Sequence, residues 1–131
     1  PHHAVEEIRE NLKILRALTA QSLHAVRAES PAPLQELESC IEKLSASIRA
    51  YVSQRKLLRG SDEEVFRLTC ILPYFREFAQ ELNCVQSLRA PENARLPDED
   101  LAVLRRYHMS RLESLALQCL PDKEDRREER C

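Results

Sequence analysis

One glycine in 131 residues constrains this chain more than any other feature. Globular proteins average about 7% glycine. Glycine supplies positive φ, tight turns and close backbone approach to phosphate groups. With Gly60 alone, the chain has no P-loop, no dinucleotide-binding fingerprint and no nucleophile elbow. A sandwich or barrel needs turn residues every 8–12 positions or so and is disfavoured for the same reason. A helical protein remains. The length suits one domain with its own core.

Hydrophobic spacing supports this and divides the chain into four segments. From about Ala4 to Ala28, Val5, Ile8, Leu12, Leu15, Leu18, Leu23 and Val26 keep to one side of a helix. Ser30-Pro31-Ala32-Pro33 ends it, since proline lacks an amide N–H and disfavours helix at the residue before it. From about Leu34 to Arg59, the positions Leu34, Leu37, Ile41, Leu44, Ile48, Tyr51, Arg55 and Leu58 follow a 3-4 heptad rhythm with one polar member. That seam fits an extended coiled-coil dimer or one helix of a bundle. The bundle is favoured because the flanking segments offer partners of similar length. Gly60 stands where a helix C-cap is expected, and Ser61 with Glu64 forms a capping box for the next helix.

The third segment extends to about Leu88, with Val65, Leu68, Leu72, Phe75, Phe78, Leu82 and Val85 on one side. Pro73 lies inside it and predicts a kink, or two shorter helices. Pro91 and Pro97 bound a loop. The fourth helix then opens on Asp98, Glu99 and Asp100, acids suited to the positive end of a helix dipole. Its expected inner face is Leu101, Leu104, Tyr107, His108, Leu112, Leu115 and Cys119, and Pro121 stops it. The expected fold is therefore all-α: an antiparallel four-helix bundle with a proline-kinked third helix. Residues 1–121 form the helical-bundle domain, and 122–131 form a charged tail expected to be disordered.

Charge and cysteine usage narrow the function. Twenty Lys and Arg against twenty-two Asp and Glu give a net charge of −2, with signs mixed at short range. No basic stripe is present, so direct nucleic-acid binding is not expected. No apolar run reaches the length of a membrane span. Cys40, Cys70, Cys84, Cys119 and Cys131 form no C-x-x-C pair, and five is an odd number for a disulfide framework. Reduced thiols in an intracellular protein, cytoplasmic or nuclear, are expected. Cys70 and Cys119 fall near core stripes, where cysteine behaves as a small hydrophobe.

No catalytic, cofactor or metal site is expected. His24 and His108 lack a local base or ligand motif, and read as packed or surface histidines. A di-iron bundle needs Glu-x-x-His, which does not occur; Glu6, Glu7, Glu10, Glu36, Glu38 and Glu42 fall between apolar positions, on solvated faces. Tyr74-Phe75-Arg76 and Arg105-Arg106-Tyr107 interleave aromatic and basic residues. Tyr and Arg are enriched at protein interfaces, so Tyr74, Phe78, Arg105 and Tyr107 are the expected anchors for a partner protein.

Residues Leu96-Pro97-Asp98-Glu99-Asp100-Leu101, then Leu104, Tyr107, Leu112-Glu113-Ser114 and Leu120-Pro121, resemble the closing helix of the helical domain in GINS DNA-replication subunits. The helix order from Leu34 onward is similar too. The family's preceding helix is rich in arginine, whereas this chain has Tyr74-Phe75-Arg76-Glu77 and Pro73, and the family's small β-rich domain has no counterpart here. The resemblance implies a non-enzymatic nuclear subunit of a replication assembly. The expected function is thus a helical protein–protein interaction module, a subunit or scaffold domain that docks through a helix face. The alternative is a secreted four-helix ligand that engages a receptor.

Overall fold

A computed structural model describes residues 2–54, 62–91 and 95–121. Among these, the chain forms four helices and no strand: α1 (His2–Arg27), α2 (Leu34–Gln54), α3 (Asp62–Ser87) and α4 (Asp98–Cys119). The all-helical expectation is correct, and where both ends of an expected segment are described, in α1 and α4, its boundaries fall within a few residues of those read from the sequence. Gly60, Ser61, the seam positions Arg55 and Leu58, and the tail 122–131 lie outside the described residues. The helices pack about one shared core, with α1 touching the other three and α3 set against both α2 and α4.

The α2 seam is buried as its rhythm requires. Leu37, Ile41, Leu44, Ile48 and Tyr51 are all in the core, and Leu34 packs at its edge. On α1, Val5, Ile8, Leu15, Leu23 and Val26 are buried, while Leu12 and Leu18 are only partly covered. The positions beside these two are instead taken by Asn11 and Thr19, both fully enclosed. Buried polar groups need partners. Asn11 Nδ2 donates to Ser47 Oγ at 2.8 Å, tying α1 to α2, and Thr19 Oγ1 donates to the Leu15 carbonyl at 2.8 Å. The Cys40 thiol donates weakly to the Asn11 carbonyl at 3.7 Å. The hydroxyl of Ser22 is the one buried side-chain polar atom without a partner among the described residues.

The end of α1 solves the shortage of glycine in its own way. Ser30 N–H bonds the Ala25 carbonyl at 2.8 Å and Glu29 N–H bonds that of Val26 at 3.1 Å, the paired bonds of a Schellman turn. Such a turn needs a left-handed residue, usually glycine. Here Glu29 occupies it, with φ 57°. Two arginines hold the turn: Arg89 Nη1 donates to the Glu29 carbonyl at 2.6 Å, and Arg105 Nη2 to the Val26 carbonyl at 3.0 Å. Carbonyls left over at a helix C-terminus are thereby satisfied.

One uninterrupted helix, α3, runs through Pro73. Its start is fixed from both sides. Tyr51 donates to Asp62 Oδ1 at 2.7 Å, and burial followed by this bond pushes the Tyr51 hydroxyl up to about 12. The capping-box contact of Glu64 with Ser61 lies outside the described residues. Both carboxylate oxygens of Glu64 accept from Arg9 of α1, at 2.9 and 2.8 Å.

Candidate functional site

The face that α4 turns inward differs from the expected one. Leu112, Ala116 and Cys119 are buried, whereas Leu104 and Tyr107 are exposed, Tyr107 by 56%. The reason is polar. On the first half of α4 the positions turned towards the other helices carry Arg105, His108 and Arg111. Arg105 is committed to the end of α1, while His108 and Arg111 both bond Glu81 of α3. These bonds set the rotation of the helix and leave Val103, Tyr107 and Leu117 in solvent, the last 79% exposed. Steps of four and ten residues put the three on one line, opposite Leu112 and Cys119. Ser110 and Ser114 lie between them.

Of the four expected partner anchors, two therefore change role. Phe78 is 0% exposed and belongs to the core with Phe75 and Leu82, because it falls on the buried stripe of α3. Arg105 is engaged within the chain, at the Val26 carbonyl and 3.9 Å from Glu29. Tyr74 and Tyr107 are exposed. Cys119 is buried as expected, and desolvation pushes its thiol up to about 12, but Cys70 is exposed. His24 is exposed.

The most concentrated chemistry in the molecule lies where α3 meets α4. Glu81 is 7% exposed, a rare burial for a carboxylate. His108 Nδ1 donates to its Oε1, and Arg111 Nε donates to its Oε2 at 3.1 Å. The carboxylate holds the guanidinium of Arg111 above its ordinary range. Arg111 also lies over the Tyr107 ring, 5.8 Å from its centroid, and the His108 ring meets the Tyr107 ring edge-on at 5.1 Å. Cys84, one turn beyond Glu81, completes the group: a Glu81 carboxylate oxygen, Cys84 Sγ and a His108 ring nitrogen all lie within 4.8 Å of one another.

Neither Glu81 nor the pairing of Cys84 with His108 was legible in the sequence. No short-range ligand pair marks them, because the contacts cross between helices at separations of 27 and 30 residues. The usable signal is weak: Glu81 sits beside Leu82 and one turn after Phe78, where a carboxylate is out of place.

A cleft lined by Val26, Pro31, Val85, Arg89 and Arg105 opens beside the α1 turn, and its two arginines are those already bonded to α1 carbonyls. No helix among the described residues is long and apolar enough to cross a membrane. Comparison with family models, curated proteins and solved structures finds no match to this chain. Fold and site together define it as a small all-helical protein with a polar α3–α4 junction and an apolar outer line on α4.

Proposed function

We propose that this chain is a non-enzymatic interaction module, a subunit or scaffold domain of a larger assembly, that docks a helix of another protein along the outer face of α4. The observation that carries this reading is the line of Val103, Tyr107 and Leu117, three large apolar side chains held in solvent on a helix whose opposite side is buried. Scattered apolar residues are ordinary on a surface, but an aligned set at helical spacing is the form a helix partner recognises. Arg106 flanks the line, so the partner helix carries an apolar ridge with an acidic neighbour.

The same reading includes an up-and-down, antiparallel order of helices with α3 bent at Pro73. In its support, Arg16 of α1 reaches the Cys119 carbonyl and Arg27 reaches Glu113, so positions ascending along α1 meet positions descending along α4. Proline's missing N–H and its ring clash supply the bend. An intracellular setting accords with the free thiols of Cys40, Cys70, Cys84 and Cys119. A place in a DNA-replication assembly of the GINS kind rests on the resemblance over 96–121, in which Leu96, Leu104 and Tyr107 are exposed.

The test is recovery of binding proteins from cell extract by the immobilised chain. Wild type, the Val103→Ser/Tyr107→Ser/Leu117→Ser variant and a Phe66→Ser control on α3 are compared by quantitative mass spectrometry. A buried aromatic anchor contributes about 2 kcal/mol or more, near a thirtyfold change in affinity. The expected result is a partner lost with the triple variant and kept by the control. Equal recovery by all three contradicts the proposal.

A further inference from the structure

We infer that Glu81, Cys84 and His108 form a three-ligand site for a divalent transition metal, zinc by its donor set, with the fourth position open to water. The inference is independent of the docking reading. It rests on the convergence of an oxygen, a sulfur and a nitrogen donor from two helices, mutually within 4.8 Å. A tetrahedral zinc ion with bonds of about 2.0–2.3 Å sets its donors about 3.3–3.7 Å apart. Glu81 Oε1 and His108 Nδ1 are in direct hydrogen-bond contact and separate to admit the ion, while rotation of Cys84, an exposed residue, brings its sulfur in.

The surroundings fit a metal centre. Ligating carboxylates are normally hydrogen-bonded through their second oxygen, which fixes the first towards the ion. Arg111 does this for Glu81, leaving Oε1 turned to His108. Glu81 and Cys84 are three residues apart on α3, and His108 and Arg111 are three apart on α4, so each helix presents one adjacent pair to the other. Thiolate with imidazole and carboxylate is a set that favours zinc over calcium or magnesium.

Binding also balances charge. Cys84 loses its thiol proton to solvent, and His108 exchanges its Nδ1 proton through solvent for one on Nε2, so that the neutral ring binds through Nδ1 and Glu81 keeps its hydrogen bond from Arg111. Thiolate and carboxylate together offset the two positive charges of the ion, and the Arg111 guanidinium stays on the remaining oxygen. Because Cys84 is exposed, the open coordination position faces solvent. An acyl-transfer triad, the other chemistry available to Cys, His and Glu, needs a substrate cleft beside the sulfur. Among the described residues, the cleft by the α1 turn, the groove between α2 and α3 and that between α1 and α2 are lined by other residues.

The experiment is a titration of the reduced full chain with cobalt(II), followed by displacement with zinc(II). Cobalt bound to thiolate in a tetrahedral site gives a charge-transfer absorption in the near ultraviolet and ligand-field bands in the visible. The expected result is one cobalt per chain with both features, abolished by Cys84→Ser and retained by Cys70→Ser, Cys131→Ser and the His2→Ala/His3→Ala variant. Arg111→Ala keeps the thiolate band and weakens affinity about 10- to 100-fold. Cys84 is exposed, so its serine variant is expected to fold, with far-ultraviolet circular dichroism as the check. A wild type without the thiolate band overturns the inference, as does a band that survives Cys84→Ser or disappears with Cys70→Ser, Cys131→Ser or the histidine pair.

Discussion

The α1–α2 pair and the α3–α4 pair use amphipathic helices of similar length for opposite ends. Between α1 and α2 most apolar positions are closed in, and the buried Asn11 is paired with Ser47. Between α3 and α4 a carboxylate is buried, and large apolar side chains are left outside. The first pair places its hydrophobic residues where they stabilise the chain. The second leaves Val103, Tyr107 and Leu117 largely in solvent, with Tyr107 meeting Arg111 and His108 at the rim of the junction. Burial of polar groups with displacement of apolar ones marks surfaces that have another use.

This contrast can be broken by mutation. Leu44→Ala, in the closed seam, is expected to cost about 2–5 kcal/mol in urea unfolding, since a fully buried leucine leaves a cavity behind. A cost below about 1 kcal/mol contradicts the packing described for α2. Asn11→Ala comes next, at about 1–3 kcal/mol, because it strands the buried Ser47 hydroxyl. Ser47→Ala added to it is expected to recover part of that loss, whereas strict additivity means the two do not act as a pair.

Two smaller effects sharpen the account at the ends of the helices. The Tyr51 hydroxyl has a folded value of about 12 against an ordinary value of 10.0. A raised value means the contribution is complete below pH 10 and is lost as pH rises towards about 12. Unfolding followed by circular dichroism is expected to show this alkaline loss reduced in Tyr51→Phe; an unchanged pH profile removes Tyr51 as its source. Glu29→Gly relieves the left-handed strain and is expected to stabilise by about 1 kcal/mol. A loss of stability instead assigns more weight to the Glu29 side chain, 3.9 Å from Arg105, than to its backbone.

The helices themselves were legible because their signals are local. The three- and four-residue steps of α1 and α2 lead directly to buried Ile8, Leu15, Ile41 and Leu44, and Pro31, Pro33 and Pro97 mark the breaks. The rotation of α4 was not legible. Its sequence carries two stripes of similar period, one through Leu104 and Tyr107 and one through Leu112, Ala116 and Cys119. The choice between them depends on Glu81, which lies on another helix. The Schellman turn at Glu29 escaped notice because a left-handed glutamate contradicts the glycine rule that identifies such turns. The role of Arg105 is hidden for a related reason: its partner is a carbonyl at the end of a helix 79 residues away.

The central claim is that the outer line of α4 contributes little to the fold that carries it. Equilibrium urea unfolding of Val103→Ser/Tyr107→Ser/Leu117→Ser tests it directly. The account predicts a stability within about 1 kcal/mol of wild type, the exposed contacts of Tyr107 with Arg111 and His108 included. A loss comparable to that of Leu44→Ala contradicts it, and makes this face part of the core rather than a surface for another protein.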